Sequence, residues 1–153
     1  MRVLACTLLA LPALARAFYG VVVSVHDGDT LTVMAEDRTL QVRIAEIDAP
    51  DLRQAFGERA RDSLAQMCLG KQAEVSLVGP QRSAAAARVL CEGVDAGAQQ
   101  VERGLAWVSR RRGATASPLF LLEDQAQRSR EGLWVDKAPA PPWAYRANRR
   151  NRL

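Results

Sequence analysis

YGVVVSVHDGDTLTVMAEDRTLQVRIAEIDAP, residues 19–50, is a succession of three β-rich runs separated by two polar turns. Tyr19 to Val25 is largely β-branched, and His26-Asp27-Gly28-Asp29 supplies the first turn. Thr30 to Met34 forms the second run, Ala35-Glu36-Asp37-Arg38 the second turn, and Thr39 to Ile47 the third run. Three short runs of this composition, joined by tight turns, predict an antiparallel meander. Ala49-Pro50 ends it, because proline has no N–H to give to a strand ladder.

Downstream the period changes. Between Gln54 and Leu69, Ala60, Leu64, Met67 and Cys68 fall on one helical face, with Glu58, Arg59, Arg61, Asp62 and Gln66 largely elsewhere. Gly70 stops that helix. Lys71 to Val78 alternates as a fourth strand, and Ala87 to Cys91 is a candidate fifth. Asp95 is placed to cap a helix running to Arg103 and closed by Gly104. Leu105 to Val108 is a short apolar run. Ser117-Pro118 opens a last helix whose buried stripe is Leu119, Leu122 and Ala126, and which Gly132 ends. The expected fold is α+β, mainly β: a five-stranded OB-type barrel with about three helices. The Pro-rich stretch Ala138 to Pro142 leads into a basic tail, residues 138–153, expected to be exposed or loosely docked. No internal repeat is present, and the domain is expected to span residues 18–137.

The N-terminus reads as an address. Met1-Arg2 is followed by an apolar run, Val3 to Leu14, and by Ala15-Arg16-Ala17 with small residues at the positions a signal peptidase reads. The run is shorter than the roughly 20 apolar residues that span a bilayer. Residues 1–17 are therefore expected to be a signal peptide, the product secreted or periplasmic, with no transmembrane segment in the mature chain. Their removal takes Arg2 and Arg16 and none of the 17 acidic residues, leaving a net charge of +2. So small an excess says little about nucleic-acid binding. Its distribution says more, with Arg110, Arg111 and Arg112 consecutive and Arg146, Arg149, Arg150 and Arg152 near the C-terminus. Cys68 and Cys91 remain after processing, and two readings stand: a disulfide, or two buried thiols packed as small apolar groups. No CxxC or His/Cys cluster points to zinc.

Two acidic clusters flank the third run: Asp27-Gly28-Asp29-Thr30 and Glu46-Ile47-Asp48-Ala49-Pro50-Asp51. In a meander the turn after the first strand lies near the end of the third, so Asp29 and Asp48 are expected to approach each other. Adjacent carboxylates repel unless a cation lies between them. Oxygen ligands without sulfur or imidazole suit a hard ion such as Ca²⁺.

Asp27-Gly28-Asp29-Thr30, followed by an arginine-bearing strand ending Ile47-Asp48-Ala49-Pro50, resembles the thermonuclease (staphylococcal nuclease-like) family. Gly57-Glu58-x-Ala60 with Leu64, Val101-Glu102-Arg103-Gly104-Leu105-Ala106-Trp107-Val108, Glu131-Gly132-Leu133-Trp134 and Pro141-Pro142-Trp143 extend the likeness over nearly all of residues 19–146. The resemblance implies Ca²⁺-dependent hydrolysis of DNA or RNA by a monomer. It makes Asp29 and Asp48 the calcium carboxylates, with Ala49 offering its backbone carbonyl and Asp27 and Thr30 supporting them. It casts Arg43 as a phosphate donor and puts Asp51 where the family has the glutamate proposed to activate water.

The chain departs from that pattern twice. Asp51 is one methylene shorter than glutamate, and misplacement by about 1 Å costs roughly 100-fold in rate. The family's second arginine falls on Ala84, within Gln81-Arg82-Ser83-Ala84-Ala85-Ala86. Arg82 or Arg88 would have to replace it; otherwise Arg82 is a solvated loop residue and Arg88 lies along the barrel surface. Two functions are consistent with the sequence. One is a secreted, calcium-dependent nuclease of weakened activity. The other is a non-catalytic module that binds nucleic acid or another partner on the same fold.

Overall fold

The meander forms as its alternation requires. In the computed structural model, which describes residues 17–78, 85–110 and 117–151, Ala17–Val25 (β1), Thr30–Ala35 (β2) and Arg38–Ile44 (β3) pair antiparallel in sequence order. Val22, Leu31, Val33, Val42 and Ile44 point inward and are buried. Thr32, Met34 and Gln41, one residue out of phase, lie on the other face. Ile47–Asp48 (β4) precedes the helix Gly57–Cys68 (α1). Then come Gln72–Leu77 (β5), Ala85–Cys91 (β6), Val94–Asp95 (β7), Ala96–Glu102 (α2) and Trp107–Val108 (β8). Leu119–Ser129 (α3) and Pro142–Arg150 (α4) complete the chain.

β5 pairs antiparallel with β1, and β6 with β5. β6 then meets β3 in parallel, from Val42↔Ala85 to Ile44↔Ala87, and this pairing closes a five-stranded barrel in the order β3-β2-β1-β5-β6. Closure leaves no unpaired edge on which these strands could extend. Ala60, Leu64, Met67 and Cys68 of α1 are buried as their spacing predicts. Asp95 caps α2 by accepting a hydrogen bond from Ala98 N at 3.0 Å. No helix among the described residues is long and apolar enough to cross a membrane.

Three expectations change. First, the third run is not one strand from Thr39 to Ile47. Arg43 opposite Thr30 is near the last pair with β2, and Glu46 then takes φ 64°. The chain re-enters extended structure at Ile47–Asp48 to pair with Val108 and Trp107. New partners satisfy backbone groups that β2 no longer reaches. Ile44 and Ile47 are both buried although three residues apart, a spacing that a continuous strand would send to opposite faces. Second, the buried positions of α3 are Glu123 and Ala126, while Leu119 and Leu122 are half-buried. Glu123 is inside because one carboxylate oxygen accepts from Val108 N at 2.9 Å and the other from Arg110 at 2.9 Å. Third, the tail is docked. Pro142 sits in the first turn of α4, Trp143 meets Trp107 edge-on at 6.4 Å, and Gln54 donates to the Ala140 carbonyl.

Cys68, ending α1, and Cys91, ending β6, form a disulfide with Cα atoms 5.3 Å apart, which decides between the two readings of the pair. Both are buried. A cross-link over this separation stabilises by about 3 kcal/mol, chiefly by restricting the unfolded chain. Reduction should lower the unfolding free energy by that amount in urea titrations run with and without dithiothreitol. An unchanged midpoint would contradict it.

The first turn is fixed from several sides. His26 N donates to the Thr30 carbonyl at 2.9 Å, and Asp29 N to Asp27 Oδ1 at 3.0 Å. Fully buried Gln100 donates from Nε2 to the carbonyls of Gly28, at 2.7 Å, and of Ala60, at 2.8 Å. A Cβ on Gly28 would lie 2.5 Å from that of Ala60 and 2.7 Å from that of Ala49. Gly28→Ala must therefore push apart the turn, α1 and the chain beside Asp48. The expected cost is about 1–3 kcal/mol, as for other overpacked sites, read as a lower urea midpoint. A midpoint equal to that of the unsubstituted protein would count against so close a fit.

Candidate active site

Asp29 is delivered by the first turn and Arg43 by the end of β3. Asp48 comes from β4, and Asp51 from the segment after Pro50. One nitrogen links the first three: Arg43 Nη2 donates to Asp29 Oδ2 at 3.2 Å and to Asp48 Oδ1 at 2.9 Å. A second guanidinium completes the cluster, from α4. Arg146 Nη2 donates to Asp48 Oδ2 at 2.6 Å and Arg146 Nη1 to Asp51 Oδ1 at 2.9 Å. The four site side chains expected from the sequence thus lie in one network, with the two arginines holding opposite oxygens of Asp48.

The surrounding groups orient Asp29. Its Oδ1 accepts from the Thr30 hydroxyl at 2.8 Å, and its Oδ2 from Ala49 N at 2.9 Å. Burial pushes the Asp29 carboxyl up to about 6, while Arg43 pulls the other way, Asp27 adds to the rise, and the Ala49 N–H and Thr30 hydroxyl oppose it. Burial likewise works against the charge of Arg146, but its bonds to Asp48 and Asp51 more than offset it and its pKa is raised.

Exposure separates two layers. The side chains of Asp29 and Asp48 are 4% and 7% exposed, those of Arg43 and Arg146 42% and 32%. The carboxylates are thus the buried layer of the network and the guanidiniums its half-open layer. A hollow lies beside Arg43 and Asp48, walled by Ala45, Ile47, Ala86 and Ser109.

Among the described residues, no group of three or more His, Cys, Asp or Glu side chains converges as a metal cage. Asp29 and Asp48, however, are two buried carboxylates facing one positive nitrogen, and the penalty on the Asp29 charge is of the kind a cation relieves. A hard ion accepting carbonyl and water oxygens beside two carboxylates fits this donor set; zinc, which favours sulfur and imidazole, does not.

Arg88 is not in the site. It is exposed and pairs with Asp95 at 2.7 Å on the barrel surface. Arg82 and Ala84 lie outside the described residues, as do Arg111, Arg112, Arg152 and residues 1–16. Sequence reasoning missed Gln100 and Arg146. For Arg146 a signal existed: Pro141-Pro142 starts a helix, and Trp143 and Arg146, three apart, share a face of it. Trp143 rests on Trp107, which pairs with Asp48 across β4 and β8, so Arg146 arrives above Asp48.

A family model described as staphylococcal nuclease homologue matches residues 41–136. "Protein ParB" of Escherichia coli is 36% identical, over 97% of this chain and 90% of its own length. A "Micrococcal nuclease" of Shigella flexneri is 34% identical over 88% of this chain and 83% of its own. An "Uncharacterized endonuclease" of Escherichia coli is 32% identical over 88% of this chain and 89% of its own.

Proposed function

Since the chain belongs to the staphylococcal nuclease homologue family, we propose that it is a nuclease that hydrolyses DNA or RNA phosphodiesters with Ca²⁺, as a secreted or periplasmic monomer. The observation that carries this reading is the placement of Arg43 Nη2 between the carboxylates of Asp29 and Asp48. That geometry offers a cation pocket and a phosphate donor within one network.

Asp29, Asp48 and the Ala49 carbonyl would hold the ion, with Asp27 and Thr30 in support. When bound, the ion would supply charge stabilisation for the hydrolysis. Arg43 swings from its carboxylates to a non-bridging phosphate oxygen, as a charge-assisted donor whose strength grows with the charge in the transition state. Asp51 accepts the proton of the attacking water from its half-buried position beside the network. The side chain is a methylene shorter than glutamate, and Arg146 already engages one of its oxygens, which supports a slow enzyme. The same engagement favours, as the second reading, a module that binds nucleic acid without cutting it. Export is supported by the Cys68–Cys91 disulfide, a bond that persists in oxidising compartments, and by the apolar run Val3 to Leu14 followed by Ala15-Arg16-Ala17.

The test is an assay of residues 18–153 on single-stranded DNA. Cleavage that appears with Ca²⁺ and stops with EDTA is the expected result. An intact oligonucleotide retained by the protein in a gel shift would establish the binding module instead.

A further inference from the structure

We propose that Arg146, carried on the C-terminal helix, is the second phosphate-binding arginine of this site. The proposal rests on the nuclease reading above and goes beyond it by assigning the role to a residue outside the barrel and far along the chain.

Two arginines approach one carboxylate here from different parts of the fold. Arg43 comes from β3, on the outer face of the barrel, and holds Asp48 Oδ1. Arg146 comes from α4 and holds Asp48 Oδ2 and Asp51 Oδ1. Both guanidiniums are partly open to solvent, while the carboxylate between them is buried. A phosphodiester arriving above Asp48 therefore meets a planar donor on each side, the arrangement that suits guanidinium recognition of phosphate oxygens. Ala84 cannot supply this donor, and the described alternative, Arg88, is engaged with Asp95 elsewhere.

The docking of α4 is specific enough to serve this end. Trp143 packs on Trp107, directly across the strand pair from Asp48, and Gln54 holds the Ala140 carbonyl just before the helix. These contacts fix the distance from helix to site. Arg146 needs only a change of side-chain partner, from Asp48 and Asp51 to a phosphate oxygen. That exchange would also release Asp51 to face water, so one movement binds the substrate and frees the base.

The competing possibility is a strap in which Arg146 blocks the site. The experiment separates the two with the whole mature chain bearing Arg146→Ala or Arg146→Lys, each checked first by circular dichroism and thermal melting. Cleavage of single-stranded DNA is measured in Ca²⁺, and binding of a fluorescein-labelled single-stranded oligonucleotide in EDTA at several salt concentrations. For Arg146→Ala we expect a rate at least about 10³-fold lower, as for loss of a transition-state arginine. Its binding should weaken, with a salt slope smaller by about 0.7, the value of one phosphate contact on a single strand. Arg146→Lys should recover the slope but little of the rate, because an ammonium lacks the planar fork.

An Arg146→Ala protein that cuts as fast as the parent or faster, or that binds with an unchanged salt slope, overturns the proposal. If the parent binds without cutting and Arg146→Ala reduces the slope, the nuclease reading fails while Arg146 remains a phosphate contact. A parent that neither cuts nor binds overturns both. Should Arg146→Ala fail to fold, Arg146→Lys and Arg146→Gln carry the same comparison: equal rates for Lys, Gln and parent would overturn it.

Discussion

Arg43→Ala is expected to lower the rate of phosphodiester cleavage by about 10³- to 10⁵-fold, the range found when an arginine that stabilises phosphoryl-transfer charge is lost. The effect should be large because Arg43 is joined to both buried carboxylates through one nitrogen and would have to do two things at once. It balances Asp29 and Asp48 while the site is at rest, and under the proposed mechanism it would donate to phosphate oxygens as negative charge builds on them. Arg43→Lys retains the positive charge but presents a single point instead of a fork, so a rate nearer that of alanine than of the parent is expected. Single-turnover assays at saturating protein isolate the chemical step, and thermal melting in parallel reports the state of the fold. Alanine must leave Asp29 and Asp48 without their shared cation, so some loss of melting temperature accompanies it. A folded Arg43→Ala protein that cuts within about tenfold of the parent, less than the smallest loss expected of such an arginine, would remove Arg43 from the chemistry.

Asp48→Asn is the second large effect, and it reads out on two scales. The substitution is nearly isosteric, yet it removes the charge on which both guanidiniums and the proposed ion depend. Cleavage should fall by roughly 10³-fold or more, because metal and arginine stabilisation together supply several kcal/mol at the transition state. Independently of activity, Ca²⁺ should lose its ability to stabilise the fold. A ligand bound only by the native state adds about 2.7 kcal/mol at a hundred times its dissociation constant. The parent should therefore melt higher as Ca²⁺ is raised, and Asp48→Asn should not. A variant whose melting temperature still climbs with Ca²⁺, to the parent's extent, would place the ion elsewhere. Arg146 gives this experiment a further use. Without the Asp48 charge, Asp51 is the one ionic partner left to α4 among the described residues, and protease sensitivity after Pro142 would show whether that pair, Trp143 and the Gln54 bond keep the helix docked.

Much of this was legible before any coordinates. The alternation of Leu31, Val33, Val42 and Ile44, broken by Asp-Gly and Glu-Asp turns, fixes a meander because period-two burial and tight-turn chemistry are local properties. The same holds for the α1 face of Ala60, Leu64, Met67 and Cys68 and for the Asp95 cap. Asp29 and Asp48 were nameable as neighbours because meander topology places a turn beside the end of the strand after next, whereas Arg43 and Asp51 were named through the likeness to the thermonuclease family. What failed locally failed for non-local reasons. The break after Ile44 depends on Trp107 and Val108, some sixty residues away in the chain, which provide the hydrogen bonds that redirect Ile47 and Asp48. Glu123 looks like a surface residue of an amphipathic helix until Val108 N and Arg110 are placed against it.

The sequence by itself determined the barrel, the family and three of the five elements that bring charge to the site (the first turn, the end of β3 and the segment after Pro50), since these follow from short patterns of alternation, turn residues and motif. Tertiary structure alone decided the disulfide between Cys68 and Cys91 and the seating of Gln100 under the first turn. It also decided the arrival of Arg146 over Asp48. Each is a meeting of residues more than twenty positions apart. Closing so long a loop is rewarded only when many other contacts already hold its ends together, and no local pattern in the chain records that.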